Sequence, residues 1–370
     1  MQPLKCVRVV AALLALLAAS AVHAQQAPPK LPTEPQLVGS MPYSTTNGPT
    51  QYIVVQVGDG GSGPYKAVLA GHPNLPTHTV YRPRDLKAFG PNRKLPIVAH
   101  GNGACRNASY EVRNFLTEVA SHGFLVIAIG PAIPTIAGGS YVSGPTQSSQ
   151  LLDAVDWATA ENAREGSELY GKVDTTKVAV MGHSCGGLQA IEVSTDPRVT
   201  TTVLLNSGII GPRPPAPPAQ TPAPPAQAPA PPAQTPAPPA AAPTDPNAPP
   251  APPRPGAGRM PGMPAVAKEQ LNKLHAPIAY FVGGKSDIAY NNAADDFARI
   301  ESVPVVFANR DVGHYPATFL DPRGGAWGEA VSAWLKWQLK GDPSAARMFT
   351  GTNCGFCRDP KWSIEKKKIP

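Results

Sequence analysis

Beyond its first two dozen residues the chain has no stretch approaching the ~18 unbroken apolar residues that a membrane-spanning helix needs. A transmembrane segment in the mature protein is therefore not expected. No stripe of Lys and Arg interleaved with aromatics occurs either, so the formal charge of +7 does not imply a nucleic-acid partner. Removing Lys5 and Arg8 with a leader leaves +5, part of it in Lys366-Lys367-Lys368, which reads as a solvated terminal run. Cysteine is scarce, five in 370 residues. Cys6 lies in the leader, and the remaining Cys105, Cys185, Cys354 and Cys357 permit three complete pairings among which the sequence does not choose.

The 370 residues are enough for one large α/β domain or two small ones. Residues 1–24 carry Lys5 and Arg8, the apolar run Val9 to Ala18, then Val22-His23-Ala24, a small-x-small cleavage site. That pattern is a signal peptide, so the mature protein is expected to be exported, periplasmic or extracellular, where disulfides can form. Residues 25–43, rich in Pro and Gln without an apolar period, read as a flexible N-terminal arm. From 211 to 264 the chain is mostly Pro and Ala, with a near-repeat Thr-Pro-Ala-Pro-Pro-Ala-Gln between Pro214 and Ala240. Proline lacks a backbone donor and fixes φ, so this stretch is expected to be disordered or polyproline II rather than helix or central strand. It interrupts a domain spanning 44–345, and residues 346–370 read as a Cys-containing C-terminal tail.

Within that domain, short apolar runs alternate with segments of helical period. Gln51 to Val55, Tyr65 to Leu69 and Thr79 to Pro83 look like antiparallel strands at one edge. Leu95 to Ala99, Gly123 to Ile129, Lys177 to Met181, Val199 to Leu205, Ile278 to Val282 and Pro304 to Ala308 are runs of the kind buried on both faces of a parallel sheet. Helices are expected near 110–121, 147–162, after 185, at 266–274, 292–300 and 326–339. The fold class is therefore α/β, a mostly parallel central sheet with helices on both faces, and its chemistry belongs at the carboxyl ends of the strands.

Gly182-His183-Ser184-Cys185-Gly186 lies between a strand and a helix. Small residues two before and two after a serine allow a turn so tight that the hydroxyl stands clear of the sheet, a nucleophile elbow. Ser184 is the expected nucleophile. A serine hydroxyl needs a proton acceptor that titrates near neutrality, and His314, behind Gly313 and the last strand, fits. Asp287, in the loop after the next-but-one strand, is the expected partner of the imidazole; Asp295 and Asp296 fall on a helix, and Asp311 is too near His314 in sequence. The oxyanion formed at a carbonyl needs two main-chain donors. Cys185 supplies one, and the loop His100-Gly101-Asn102-Gly103 the other, from Asn102 with Gly103 as the alternative; the side chain of His100 reads as structural. Ile133, Ile136 and Tyr141 are the candidate substrate-binding wall.

These motifs in this order resemble the serine α/β-hydrolases, most of all the dienelactone-hydrolase, cutinase-like and acetylhydrolase branch, over roughly Gln51 to Lys340 without the insert. The resemblance implies an α/β-hydrolase fold and a carboxylic-ester hydrolase with an acyl-serine intermediate, no cofactor and no metal. Dienelactone hydrolases proper use a cysteine nucleophile, whereas this elbow has serine with Cys185 one place later, so dienelactone substrates do not carry over. Cys185 is read first as a small semi-buried residue beside the nucleophile and second as a disulfide partner. Cys354-Gly355-Phe356-Cys357 reads as structural, paired within itself or to Cys105, since its terminal position is wrong for a redox motif. Asn107-Ala108-Ser109 matches a glycosylation acceptor, relevant only in a host that glycosylates. The insert offers almost no apolar residues to pack as a lid, and is read as a spacer toward cell wall or polymer. A peptidase or amidase with the same residues, and a non-catalytic Pro-rich binding protein on this fold, are the alternatives.

Overall fold

The computed structural model describes residues 36–45, 48–132, 145–211, 262–315 and 317–370. The expected leader, nearly all of the Pro-rich insert and residues 133–144 lie outside the described residues. The strands are β1 (Gln36–Thr45), β2 (Gly48–Gln56), β3 (Ala67–Ala70), β4 (His78–Pro83), β5 (Leu95–Gly101), β6 (Leu125–Ile129), β7 (Val173–His183), β8 (Val199–Leu205), β9 (Ile278–Val282), β10 (Val305–Asn309) and β11 (Ser363–Lys367). They form one sheet in the order β1-β2-β3-β4-β6-β5-β7-β8-β9-β10-β11. The six strands from β6 to β10 in that order are parallel, and the pairs outside them are antiparallel.

Continuous apolar runs suit the central strands because both faces are covered. Along β6, Val126 and Ala128 join the cluster that holds Phe115, Trp327 and Trp334. Leu125, Ile127 and Ile129 join the opposite cluster with Leu151, Val155 and Trp157. The period of two thus sends alternate residues into two cores. Helices α1 (Arg113–Ser121) and α5 (Gly325–Lys340) supply the first core. On the second face lie α2 (Ser149–Ala163), α3 (Cys185–Val193) and α4 (Tyr290–Arg299). The segment expected as a helix at 266–274 is a 3-10 helix, Lys268–Lys273.

Two boundaries differ from the sequence reading. Gln36–Thr45, placed in the flexible arm, pairs along β2 as an edge strand. The C-terminal tail is folded: the short helices α6 (Pro343–Ala346) and α7 (Gly355–Arg358) follow α5, and β11 pairs with β10. The lysines read as a solvated run are engaged there, Lys366 Nζ donating to the carbonyls of Phe349 and Gly351, and Lys367 Nζ to those of Ala298 and Ile300. The segment is anchored by apolar residues too sparse to show a period. Trp362 stacks on Trp327 with ring centroids 5.4 Å apart, and Phe356 packs on both Phe349 and Trp362.

Asp296 joins the two roots of the Pro-rich insert. It is fully buried, accepts from the Ile209 amide at 2.7 Å and pairs with Lys268 Nζ at 2.6 Å. Burial raises its pKa to about 6 despite the lysine.

His100, at the end of β5, is fully buried, and neither ring nitrogen has a protein partner among the described residues. Burial lowers its pKa to about 3, so the ring stays neutral in the fold. The unfolded chain takes up a proton near pH 6.5 and the folded chain does not, so stability is lost as pH falls below 6.5 and continues to fall toward 3. Replacing His100 with Leu removes this titration. Urea unfolding between pH 7 and 5 is expected to show the variant gaining on the wild type by roughly 1.4 kcal/mol per pH unit at most; parallel curves would contradict a neutral buried imidazole.

Candidate active site

Ser184 sits between β7 and α3 at φ 50°, ψ −116°, outside the regions L-residues favour. Three glycines make this turn possible. A Cβ on Gly182 would overlap the Gly186 carbonyl, one on Gly186 would overlap the Gly101 carbonyl, and one on Gly187 would overlap the Ser207 side chain. The Ser184 amide donates to the Leu205 carbonyl at 2.9 Å, and Ser207 Oγ donates to the Ser184 carbonyl at 2.7 Å. The strained residue is thus held on both its main-chain groups by the last residue of β8 and the loop that follows it.

The structure brings Ser184, His314 and Asp287 together. Ser184 Oγ lies 2.9 Å from His314 Nε2, and His314 Nδ1 lies 2.6 Å from Asp287 Oδ1. The carboxylate can only accept, so Nδ1 carries the proton and Nε2 is free to receive the serine hydrogen. Asp287 Oδ1 also accepts from the Ala289 amide at 2.9 Å, and Oδ2 from the Gly283 amide at 2.9 Å and Asn206 Nδ2 at 2.8 Å. Burial pushes this carboxyl up, but the imidazole and those three donors outweigh it and hold its pKa below the ordinary value. The rival acids are engaged elsewhere: Asp295 with Lys268 and Arg299, Asp296 with Lys268, and Asp311 with the Ser286 hydroxyl. A serine so bonded to an imidazole, itself oriented by a buried carboxylate, can lose its proton as it attacks a carbonyl carbon.

Two positioning residues escaped the sequence reading. His183, buried inside the elbow, lies with Nε2 3.0 Å from the His314 carbonyl. A carbonyl only accepts, so Nε2 is protonated; burial lowers the ring's pKa to about 4 and keeps it neutral. Asn206, at the end of β8, is fully buried at φ 47°. Its amide nitrogen donates to Asp287 and to the Gly313 carbonyl at 3.0 Å, while its oxygen accepts from Trp327 Nε1 at 2.9 Å. One side chain thereby fixes both the acid and the loop that carries His314. The signal available in the sequence was a lone Asn closing an apolar strand.

Cys185 follows the serine directly, and the Asn102 amide lies against the first turn of α3. A Cβ on Gly186 would lie 2.6 Å from the Asn102 nitrogen, so the loop after β5 packs directly on the first turn of α3. Among the described residues, neither the Asn102 nor the Cys185 amide donates to a protein acceptor. The Asn102 side chain points into the fold, donating to the Arg106 carbonyl at 2.9 Å and the Ile129 carbonyl at 2.6 Å. Gly103 packs against the His183 ring, where a Cβ would collide with Nδ1. The favoured reading of Cys185 as a free small residue is corrected: it is disulfide-bonded to Cys105. Cys105 reaches it because Ala104 and Cys105 both take left-handed backbone, φ 54° and 49°, a turn no periodicity reveals. Cys354 and Cys357 pair with each other, one of the two partners open to that segment.

Beside Ser184 opens a cleft of ≈ 110 Å³ whose described walls include Leu188, Ile210, Met263 and Ile288. Ile288 is 77% exposed and Ile210 47%, so the rim is apolar and open. Ile133, Ile136 and Tyr141 lie outside the described residues.

The sheet order, the elbow and the helices on both faces are those of the α/β-hydrolase fold. Residues 103–205 match the family model PETase, described as PET hydrolase-like, a serine α/β-hydrolase family related to cutinase-like enzymes. The match contains the elbow and stops before Asp287 and His314. No curated protein matches the chain.

Asn206→Asp would replace two donors with a carboxylate facing Asp287. Two buried carboxylates resist joint ionisation, so the variant is expected to be less stable than the wild type by about 3 kcal/mol at pH 8. Protonation of one of them should narrow that deficit at pH 5.5. Urea unfolding at both pH values checks this, and a deficit independent of pH would count against the contact with Asp287.

Proposed function

We propose that the protein is an exported serine hydrolase of carboxylic esters, with Ser184 as nucleophile, His314 as general base and acid, and Asp287 as the residue that orients and electrostatically supports the imidazole. One observation carries the reading: the hydrogen-bonded series of 2.9 Å and 2.6 Å that links the three side chains across the carboxyl ends of β7, β9 and β10. In this scheme His314 Nε2 takes the Ser184 proton as Oγ adds to the ester carbonyl. The oxyanion is met by the amides of Cys185 and Asn102, which have no described protein acceptor to compete for them. Collapse of the tetrahedral intermediate expels the alcohol, which takes the proton from His314 and leaves an acyl-serine. Water then repeats the addition with His314 again as base, and the acid is released.

The open apolar rim formed by Ile210, Ile288 and Met263 supports an acyl or aryl group lying beside the serine. Export is the reading of the leader pattern in residues 1–24, and the Pro-rich insert is read as a spacer toward cell wall or polymer rather than as part of the reaction.

Hydrolysis of p-nitrophenyl esters of rising acyl length by the purified mature protein tests the reading. Ser184→Ala is expected to lower kcat/KM by about a thousandfold or more on every ester the wild type cleaves. Retained activity in the variant, or a folded wild type inert toward the whole series, would refute it.

A further inference from the structure

The two amides assigned to the oxyanion come from loops separated by some eighty residues of chain, and the Cys105–Cys185 disulfide joins those same loops. Cys185 carries one of the amides itself. Cys105 lies three residues beyond Asn102, in a turn closed by the Arg106 amide on the Gly103 carbonyl at 3.2 Å and by Asn102 Nδ2 on the Arg106 carbonyl. Within that turn Ala104 and Cys105 are consecutive non-glycine residues at positive φ, a conformation that L-residues adopt at a cost and that relaxes unless something holds it. Both cysteines are about 1% exposed. The Cys105 carbonyl accepts from Thr146, its hydroxyl at 3.0 Å, and Gln189 Nε2 of α3 donates to that hydroxyl at 2.8 Å. The turn is therefore docked on α3 by one covalent and one hydrogen-bonded link.

We propose that the Cys105–Cys185 disulfide is a positioning element for the oxyanion pocket: it holds the strained 102–106 turn against the first turn of α3, so that the Asn102 amide faces the same point as the Cys185 amide. The proposal rests on the ester-hydrolase reading above. Its energetic logic is that of a preorganised site, where donors act fully only when fixed before charge develops, and a shift of about 1 Å in one of them can cost ~100-fold in rate. The Cys354–Cys357 disulfide spans three residues at the far end of the chain and has no such role.

The test compares the wild type with Cys105→Ala/Cys185→Ala, which keeps both main-chain amides, and with Cys354→Ala/Cys357→Ala, all assayed on one p-nitrophenyl ester well below their melting temperatures. The first double variant is expected to lose at least tenfold in kcat with KM within about twofold, and to bind a trifluoromethyl ketone, which mimics the oxyanion, more weakly by a similar factor. The second is expected to keep kcat within about twofold. A folded Cys105→Ala/Cys185→Ala variant with wild-type kcat and wild-type inhibitor affinity, however lowered its melting temperature, would overturn the proposal. If that variant does not fold, the wild type is titrated with a phosphine reductant while thiols, circular dichroism and kcat are followed. The terminal pair, whose Cys357 is exposed, should open first without effect, and kcat should fall as the third and fourth thiols appear with the dichroism unchanged; four thiols with undiminished kcat would overturn the proposal. Wild-type ester hydrolysis that is absent, or unaffected by Ser184→Ala, would remove the functional reading and this proposal with it, an outcome distinct from an active enzyme indifferent to the disulfide.

Discussion

Main chain meets main chain at Gly101, Gly182 and Gly186, and the geometry around the serine depends on that approach. With no Cβ between them, the end of β5, the end of β7 and the first turn of α3 close to a separation that any other residue would prevent. Ser184 is left at φ 50° with its hydroxyl facing out of the sheet and its amide and carbonyl held by the end of β8 and the loop after it. The same closeness sets the Asn102 amide beside the start of α3. An alanine at any of the three positions would push these elements apart and move the Ser184 hydroxyl and the amides of Asn102 and Cys185 relative to one another.

Around that contact the fold arranges neutral donors in support of one buried charge. Asp287 is 3% exposed and remains anionic because the imidazole, two amides and Asn206 all donate to it. Asn206 is in turn held by Trp327 of α5, so the first core of the sheet positions the acid. His183 ties the elbow to the main chain of the His314 loop. The three loops that bear Ser184, Asp287 and His314 are thereby cross-linked by hydrogen bonds that involve no reacting atom, which is how a site at strand ends becomes rigid.

Much of this was legible in the sequence, for identifiable reasons. The central strands are buried on both faces, so they appear as unbroken apolar runs, and the residues that follow them inherit positions at one end of the sheet. That places Ser184, Asp287 and His314 in separate loops at the same edge from the sequence alone. What was not legible depends on contacts between distant segments. Asn206 looks like an ordinary strand-ending residue until Asp287 and Trp327 are seen beside it, the latter 121 residues away. Cys185 reads first as a small residue useful for its amide, and only second as a disulfide partner, because nothing in the spacing shows a left-handed turn at Ala104 and Cys105 bringing a second thiol within reach. The closing strand β11 was hidden by its lysines, whose ammonium groups donate to carbonyls of neighbouring segments.

The central claim is that Ser184 is a nucleophile activated by His314. Incubating the mature protein with a p-nitrophenyl phosphonate and mapping the adduct by mass spectrometry addresses it directly. The account predicts a single phosphonyl group per chain, on Ser184, forming far more slowly in His314→Ala and not at all in Ser184→Ala. A folded wild type that takes up no label, or a label that persists at another residue when Ser184 is replaced, would contradict it.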